Sequence, residues 1–264
     1  MKNTKEPVLC IDVGNTHTHC AVLEQNSSHV FPVFKTSLWN KNVDEIKLIL
    51  ESELKRFPEI KKCSFCSVVP SLNLHLIDLL EQLGFEIFQL TNTTCPLQIN
   101  YPNADEIGHD RLANAIAAYE ICANAVIVID LGTAVTFDII SSTGVYEGGV
   151  IAPGLSSLTE YLHEKTALLP KLSAEDLELN GNIGKSTKDA MQIGFVLGFS
   201  GMIDSILKGI KSELKNAPSN PVSVISTGGD AKYLKLVLPE DINHHSDLTM
   251  RGLYSAISRK PSTD

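Results

Sequence analysis

Short apolar runs and polar breaks alternate along the chain in a pattern that restarts halfway. The first run, "VLCIDVG" (8–14), is apolar and ends at glycine, which predicts a buried strand. "THCAVLEQ" (18–25) and "HVFPVFKTSL" (29–38) follow after brief polar interruptions and predict an antiparallel meander. Pro32 puts the third strand at an edge, because proline cannot donate to a ladder. Residues 42–57 change to helical spacing, with Val43, Ile46, Leu50 and Leu54 recurring between charges. A strand (62–69), a helix (71–83, after Pro70) and a strand (85–91) complete a β-β-β-α-β-α-β order.

"GHDRLANAIAAYEICA" (108–123) predicts a helix with Leu112, Ile116 and Tyr119 on one side. It runs straight into "AVIVIDLG" (125–132), where the strand–turn–strand pattern begins again. "GVYEGGVIAPG" (144–154) predicts a third strand and a glycine-rich bend. Helices near 155–165 and 187–212 and a strand over 221–230 come next. A short helix, a short strand and a terminal helix over 248–258 complete the chain. The fold class is therefore α/β: a duplicated mixed sheet with flanking helices. The boundary falls near 118, giving an N-terminal lobe 1–118 and a C-terminal lobe 119–264 that share the helix carrying "GHDR". A cleft between two such lobes is a favoured ligand site.

The repeat has a chemical core. Asp12-Val13-Gly14-Asn15-Thr16 and Asp130-Leu131-Gly132-Thr133 each place a carboxylate at a strand end, then a glycine and short hydroxyl or amide side chains. The glycine permits a tight turn and close approach of a ligand to the backbone. The turn N–H groups and hydroxyls suit phosphate oxygens, with the Asp holding a hydrated metal ion. Two copies would grip a polyphosphate from two walls.

The balance of 22 basic against 31 acidic residues, net −9, argues against a nucleic-acid or anionic-membrane surface. It leaves an anionic small ligand open, since amides and bound cations supply local positive potential. The N-terminus lacks an apolar signal-peptide core, and "MQIGFVLGFSGMIDSIL" (191–207) is broken by glycines and Asp204, which predicts a buried helix rather than a membrane span. Six cysteines without a secretion signal read as reduced cytosolic thiols, and Cys63 and Cys66 on one strand fall on opposite faces. "GNIGKST" (181–187) resembles a Walker loop, but Leu179 stands where that loop needs glycine and no buried strand precedes it. The local alternative is a helix start capped by Ser186 or Thr187. None of His17, His19, His244 and His245 pairs with a cysteine at metal-ligand spacing.

Seven segments together carry a family resemblance: "DVGNT" (12–16), "GHDR" (108–111), "DLGTAVTFD" (130–138), "GGVIAPG" (148–154), "TALLP" (166–170), "GKST" (184–187) and "STGGD" (226–230). In that order the chain resembles type III pantothenate kinase over nearly its whole length. The resemblance implies the acetate and sugar kinase/actin superfamily: an actin-like ATPase fold of two ribonuclease-H-like lobes. It also implies a homodimer and a cytoplasmic enzyme that uses ATP to phosphorylate pantothenate, opening coenzyme A synthesis. It carries ATP binding onto Asp12, Val13, Gly14, Asn15, Thr16, His17, Thr18, His19 and Thr133, with Mg²⁺ near Asp12. The catalytic role falls on Asp110, within the substrate segment Gly108, His109, Asp110 and Arg111. Further pantothenate contacts fall on Tyr101 and Thr187, and a K⁺ or ammonium ligand on Asp130. His109 stands where the family usually carries a small residue, and His17 where a smaller polar one is usual.

From the residues alone, Asp110 reads first as a helix N-terminal acid, and Arg111 is either a substrate anchor or half of a structural ion pair. Two other functions stay open at this level: another small-molecule kinase or phosphatase of the superfamily, and a non-catalytic regulator that kept the fold.

Overall fold

The opening meander forms as the alternation predicts. Strands β1 (Val8–Val13) and β2 (His17–Glu24) pair antiparallel, with Asp12 opposite His19. The expected third strand is in fact two pieces, β3 (Ser27–Val30) and β4 (Phe34–Lys35), both paired to β2. Pro32 lies in the break, where the chain cannot supply a ladder donor. A computed structural model describes residues 6–25, 27–173, 177–179, 181–214, 221–230 and 242–259.

The chain folds into two compact units, residues 1–121 with 247–264, and residues 122–246. In the first unit the strand order is β3-β2-β1-β5-β6, where β5 is Lys62–Ser67 and β6 is Glu86–Gln89, both running parallel to β1. Helices α1 (Val43–Leu54) and α2 (Asn73–Gln82) pack on one face. Asn42 caps α1 by accepting from the Glu45 N–H at 3.2 Å. Ile46, Leu50, Leu76 and Leu80 meet Leu9, Ile11, Val22, Cys63 and Phe65 in one core. Alternate strand residues point to the other face. There the sheet meets α6 (Leu248–Ser258), where Ser64 Oγ donates to the Leu253 carbonyl at 2.9 Å. Helix α3 (His109–Cys122) lies against α6, with the fully buried Asn114 accepting from Thr249 Oγ1 at 2.8 Å. A two-residue strand, β7 (Gln98–Ile99), precedes α3.

The terminal helix therefore belongs with the first unit, whereas sequence order put residues 119–264 together in the second lobe. Its buried residues Leu248, Leu253 and Ala256 need an apolar partner, and the face of β1 and β5 opposite the main core supplies one.

The second unit repeats the plan. Strands β8 (Val126–Leu131), β9 (Ala134–Ile140) and β10 (Val145–Pro153) form the antiparallel meander. Strand β11 (Ser223–Thr227) runs parallel to β8, and β12 (Asn243–His244) parallel to β11. Helices α4 (Leu155–Lys165) and α5 (Thr187–Leu214) cover one face. By length and composition α5 could cross a membrane. Its Met191, Phe195, Phe199, Ile203 and Leu207 instead join Ile127, Ile129, Val135 and Phe137 in the core, as the buried-helix reading expects. The short helix expected after Asp230 lies outside the described residues.

Candidate active site

Both Asp-x-Gly turns close in the same way. Gly14 N–H donates to the His17 carbonyl, and Gly132 N–H to the Ala134 carbonyl, each at 3.1 Å. The second turn is one residue shorter: Asp12 pairs with His19, and Asp130 with Thr136. Asp12 and Asp130 are both half-buried at strand ends, while Asn15, Thr16 and Thr133 are exposed beside them. Within the segment 12–19, Val13 and Thr18 are buried. Their side chains serve the core, so only their main chain can meet a ligand. Thr36 braces the first turn: its Oγ1 donates to the Gly14 carbonyl at 2.7 Å and its N–H to the Thr16 carbonyl at 2.9 Å. Thr18 Oγ1 lies 3.1 Å from Thr36 Oγ1 and accepts from Trp39 Nε1 at 3.2 Å. Buried bonds of this kind hold a turn in one conformation.

Asp12, His19 and Cys66 are register neighbours on β1, β2 and β5, so their side chains share the face opposite the main core. Cys66 Sγ donates to Asp12 Oδ1 at 3.4 Å. Burial pushes the Cys66 thiol well up, and the negative charges of Asp12 and Asp110 add to that. The thiol therefore stays protonated and acts as a donor. The Asp110 charge also acts on Cys66, and the start of α3 lies near the end of β5: a Cβ on Gly108 would stand 3.6 Å from Val68, whose N–H donates to the Val13 carbonyl of the first hairpin at 3.0 Å. Nothing local in the sequence marks Cys66 or Thr36 as part of a site. Their roles depend on which strands pair and in what register, which no local motif encodes. The opposite-face prediction for the CxxC pair holds: Cys63 enters the core and Cys66 meets Asp12.

At the start of α3, Asp110 Oδ1 accepts the Arg111 N–H at 2.8 Å. Burial raises the Asp110 pKa, opposed by the Arg111 N–H and guanidinium. His109 is half-buried, and its pKa is lowered chiefly by burial, against opposing effects of the Ser67 main chain and the Asp110 charge. Its Nδ1 is buried without a hydrogen-bond partner among the described residues. Tyr101 is exposed in the loop before α3.

In the second unit, Gly228 adopts φ +99° against the end of β8. A Cβ there would collide with the Leu131 carbonyl and lie 2.6 Å from Asp130 Oδ1. The "STGGD" glycine thus leaves a carboxylate and a carbonyl oxygen side by side. Gly154 passes so close to the Gly132 and Thr133 carbonyls that a side chain would clash with both, which accounts for the last glycine of "GGVIAPG". Of the two caps considered for α5, Ser186 is the one used: its Oγ accepts the Asp189 N–H at 3.1 Å, and Thr187 is the first helical residue, exposed.

Two mixed sheets, each opening on an Asp-x-Gly hairpin, define the duplicated ribonuclease-H-like plan of the actin-like ATPases and sugar kinases. A Campylobacter jejuni structure described as a Baf family transcriptional activator has this fold, at TM-score 0.57 and 23% identity, covering 96% of this chain and 98% of that one. Ethanolamine utilization protein EutJ from Carboxydothermus hydrogenoformans matches at TM-score 0.54 and 13% identity, over 95% and 89% of the two chains. The family profile of type III pantothenate kinase matches residues 8–209. A type III pantothenate kinase of Persephonella marina is 34% identical over 259 residues, 95% of this chain and 98% of the relative. One from Akkermansia muciniphila is 40% identical over 189 residues, 71% and 74% of the two chains. The chain belongs to the type III pantothenate kinase family.

Proposed function

We infer that the protein transfers the γ-phosphoryl group of ATP to the primary hydroxyl of pantothenate, opening coenzyme A synthesis in the cytoplasm. Family membership supplies the substrates, and the observation that carries the site is the rigid first hairpin, with Asp12 held by the Cys66 thiol at 3.4 Å and its turn braced by Thr36. Phosphoryl transfer asks a protein for positioning and charge stabilisation more than for covalent chemistry. The exposed turn residues Asn15, Thr16 and His17 offer main-chain N–H groups, an amide, a hydroxyl and an imidazole to phosphate oxygens, while Val13 and Thr18 shape the turn from the core side. The acceptor oxygen attacks the γ-phosphorus, and the bond to the β–γ bridging oxygen breaks, its electron pair leaving with ADP. The hydroxyl proton passes to the Asp110 carboxylate, which burial makes more basic than an ordinary aspartate. By family resemblance, His109, Tyr101 and Arg111 serve the acceptor in the first unit, and Thr133 and Thr187 are the second unit's candidates for ATP and pantothenate contact.

Kinases of this kind use a divalent metal, and the donor set suits Mg²⁺. Among the described residues no three His, Cys, Asp or Glu side chains cluster as a metal cage. Mg²⁺ prefers one or two carboxylates completed by water and phosphate oxygens, and Asp12 provides one. Such an ion would offset negative charge on the phosphates. Asp130 Oδ1 beside the Leu131 carbonyl fits a monovalent cation such as K⁺ or ammonium, which takes oxygen donors.

A homodimer is the proposed assembly. Helix α5 leaves Gly194, Leu197, Gly198 and Gly201 exposed on the side away from its core residues, a small-residue face suited to close helix packing. Asp12→Asn tests the hairpin reading. It should raise the KM for ATP and shift the Mg²⁺ requirement upward; unchanged values for both would remove Asp12 from the nucleotide site.

A further inference from the structure

The segment 12–19 that grips phosphate in the proposed site contains no Lys or Arg, and it opens on the acidic Asp12. Beside an ion at Asp12, a triphosphate set there would gain from a cationic side chain brought in by the fold. The pairing of β4 with β2 brings one. Lys35 stands directly opposite His17 in the antiparallel ladder, and Phe34 opposite Thr18. Side chains alternate along a strand and directly paired residues share a face. Phe34, Thr18 and Thr36 are buried on the core side. Lys35 therefore shares the opposite face with His17, His19, Asp12 and Cys66, at the same end of the sheet.

Two further observations mark Lys35 as more than a solvated edge charge. Its main chain is fixed to the phosphate turn itself, because the next residue, Thr36, bonds the Gly14 and Thr16 carbonyls and the Thr18 hydroxyl. Phe34 and Trp39, both buried, pack at 6.2 Å between ring centroids on either side of that anchor. Lys35 is also exposed and makes no ion pair with any described acid, so its ammonium is available to a ligand. We propose that Lys35 is a nucleotide-binding residue of this kinase: its ammonium group, beside His17 on the hairpin face, binds the terminal phosphate of ATP. The proposal rests on the reading of the first hairpin as the phosphate grip.

The test is calorimetric binding of Mg·ATP and Mg·ADP to the full chain and to Lys35→Gln and Lys35→Arg, with melting temperature as a folding check. A charge-assisted contact to phosphate predicts that Lys35→Gln weakens ATP binding roughly 10–100-fold. ADP binding should weaken far less, and Lys35→Arg should restore most of the ATP affinity. The KM for pantothenate at saturating ATP should stay within about twofold of wild type. Lysine on a short edge strand is also a common guard against edge-to-edge pairing. That role predicts equal small changes for both nucleotides, or none, and either result overturns the proposal while leaving the hairpin reading intact. A wild-type protein that binds neither nucleotide overturns the hairpin reading and the proposal with it.

Discussion

Asp110→Asn separates a proton acceptor from a helix-end acid. The substitution keeps size and keeps an Oδ1 to accept the Arg111 N–H, which is 2.8 Å away in the native chain. What it removes is basicity and charge. Losing a general base costs roughly 10²–10⁴ in rate, or about 2.7–5.4 kcal/mol in the barrier. Stability should move the other way. Burial raises the Asp110 pKa, so the folded chain holds this proton at pH values where the unfolded chain has released it. The stability linked to the group is present below the unfolded pKa and is lost as pH rises through the folded one. At neutral pH the variant should therefore melt at or above the wild-type temperature, with the difference shrinking toward acid pH. In wild type, kcat should rise with pH through a midpoint above the ordinary aspartate range, and that limb should vanish in the variant. The assay is steady-state ADP release paired with melting curves across pH. Near wild-type kcat, or a marked loss of stability at neutral pH, would refute the reasoning.

Two more outcomes follow from the second unit. Rates should be higher in K⁺ or ammonium than in Na⁺ at equal ionic strength, and Asp130→Asn should flatten that response; equal rates in all three salts would count against the cation site. The protein should sediment as a dimer at micromolar concentration, and Leu197→Arg on the exposed face of α5 should shift it toward monomer; a wild-type monomer would contradict the assembly.

Much of the fold is legible along the chain because its signals are local. The Asp-x-Gly hairpins, the spacing of Ile46 and Leu50 in α1, and the restart of the strand pattern after residue 122 each lie within a short window. Long-range pairing is where the reading stops. The partnership of Cys66 with Asp12 depends on the parallel register of β5 and β1, and the position of Lys35 on the pairing of β4 with β2. Chain order groups the terminal helix with the second lobe, but Gly252 lets α6 approach the Ala113 backbone of α3, far away in sequence. The motif presents residues 12–19 as one binding unit. Strand alternation sends Val13 and Thr18 to the core instead, a consequence of period 2 that the motif alone hides.

The most direct test of the assignment is nucleotide-coupled ADP release with the purified full-length chain, offering pantothenate, glucose, acetate and glycerol in turn, with product phosphorylation followed by mass spectrometry. Pantothenate should support turnover and gain one phosphoryl group, and the other three should stay near the no-acceptor rate. Robust phosphorylation of glucose, acetate or glycerol with none of pantothenate would contradict the account.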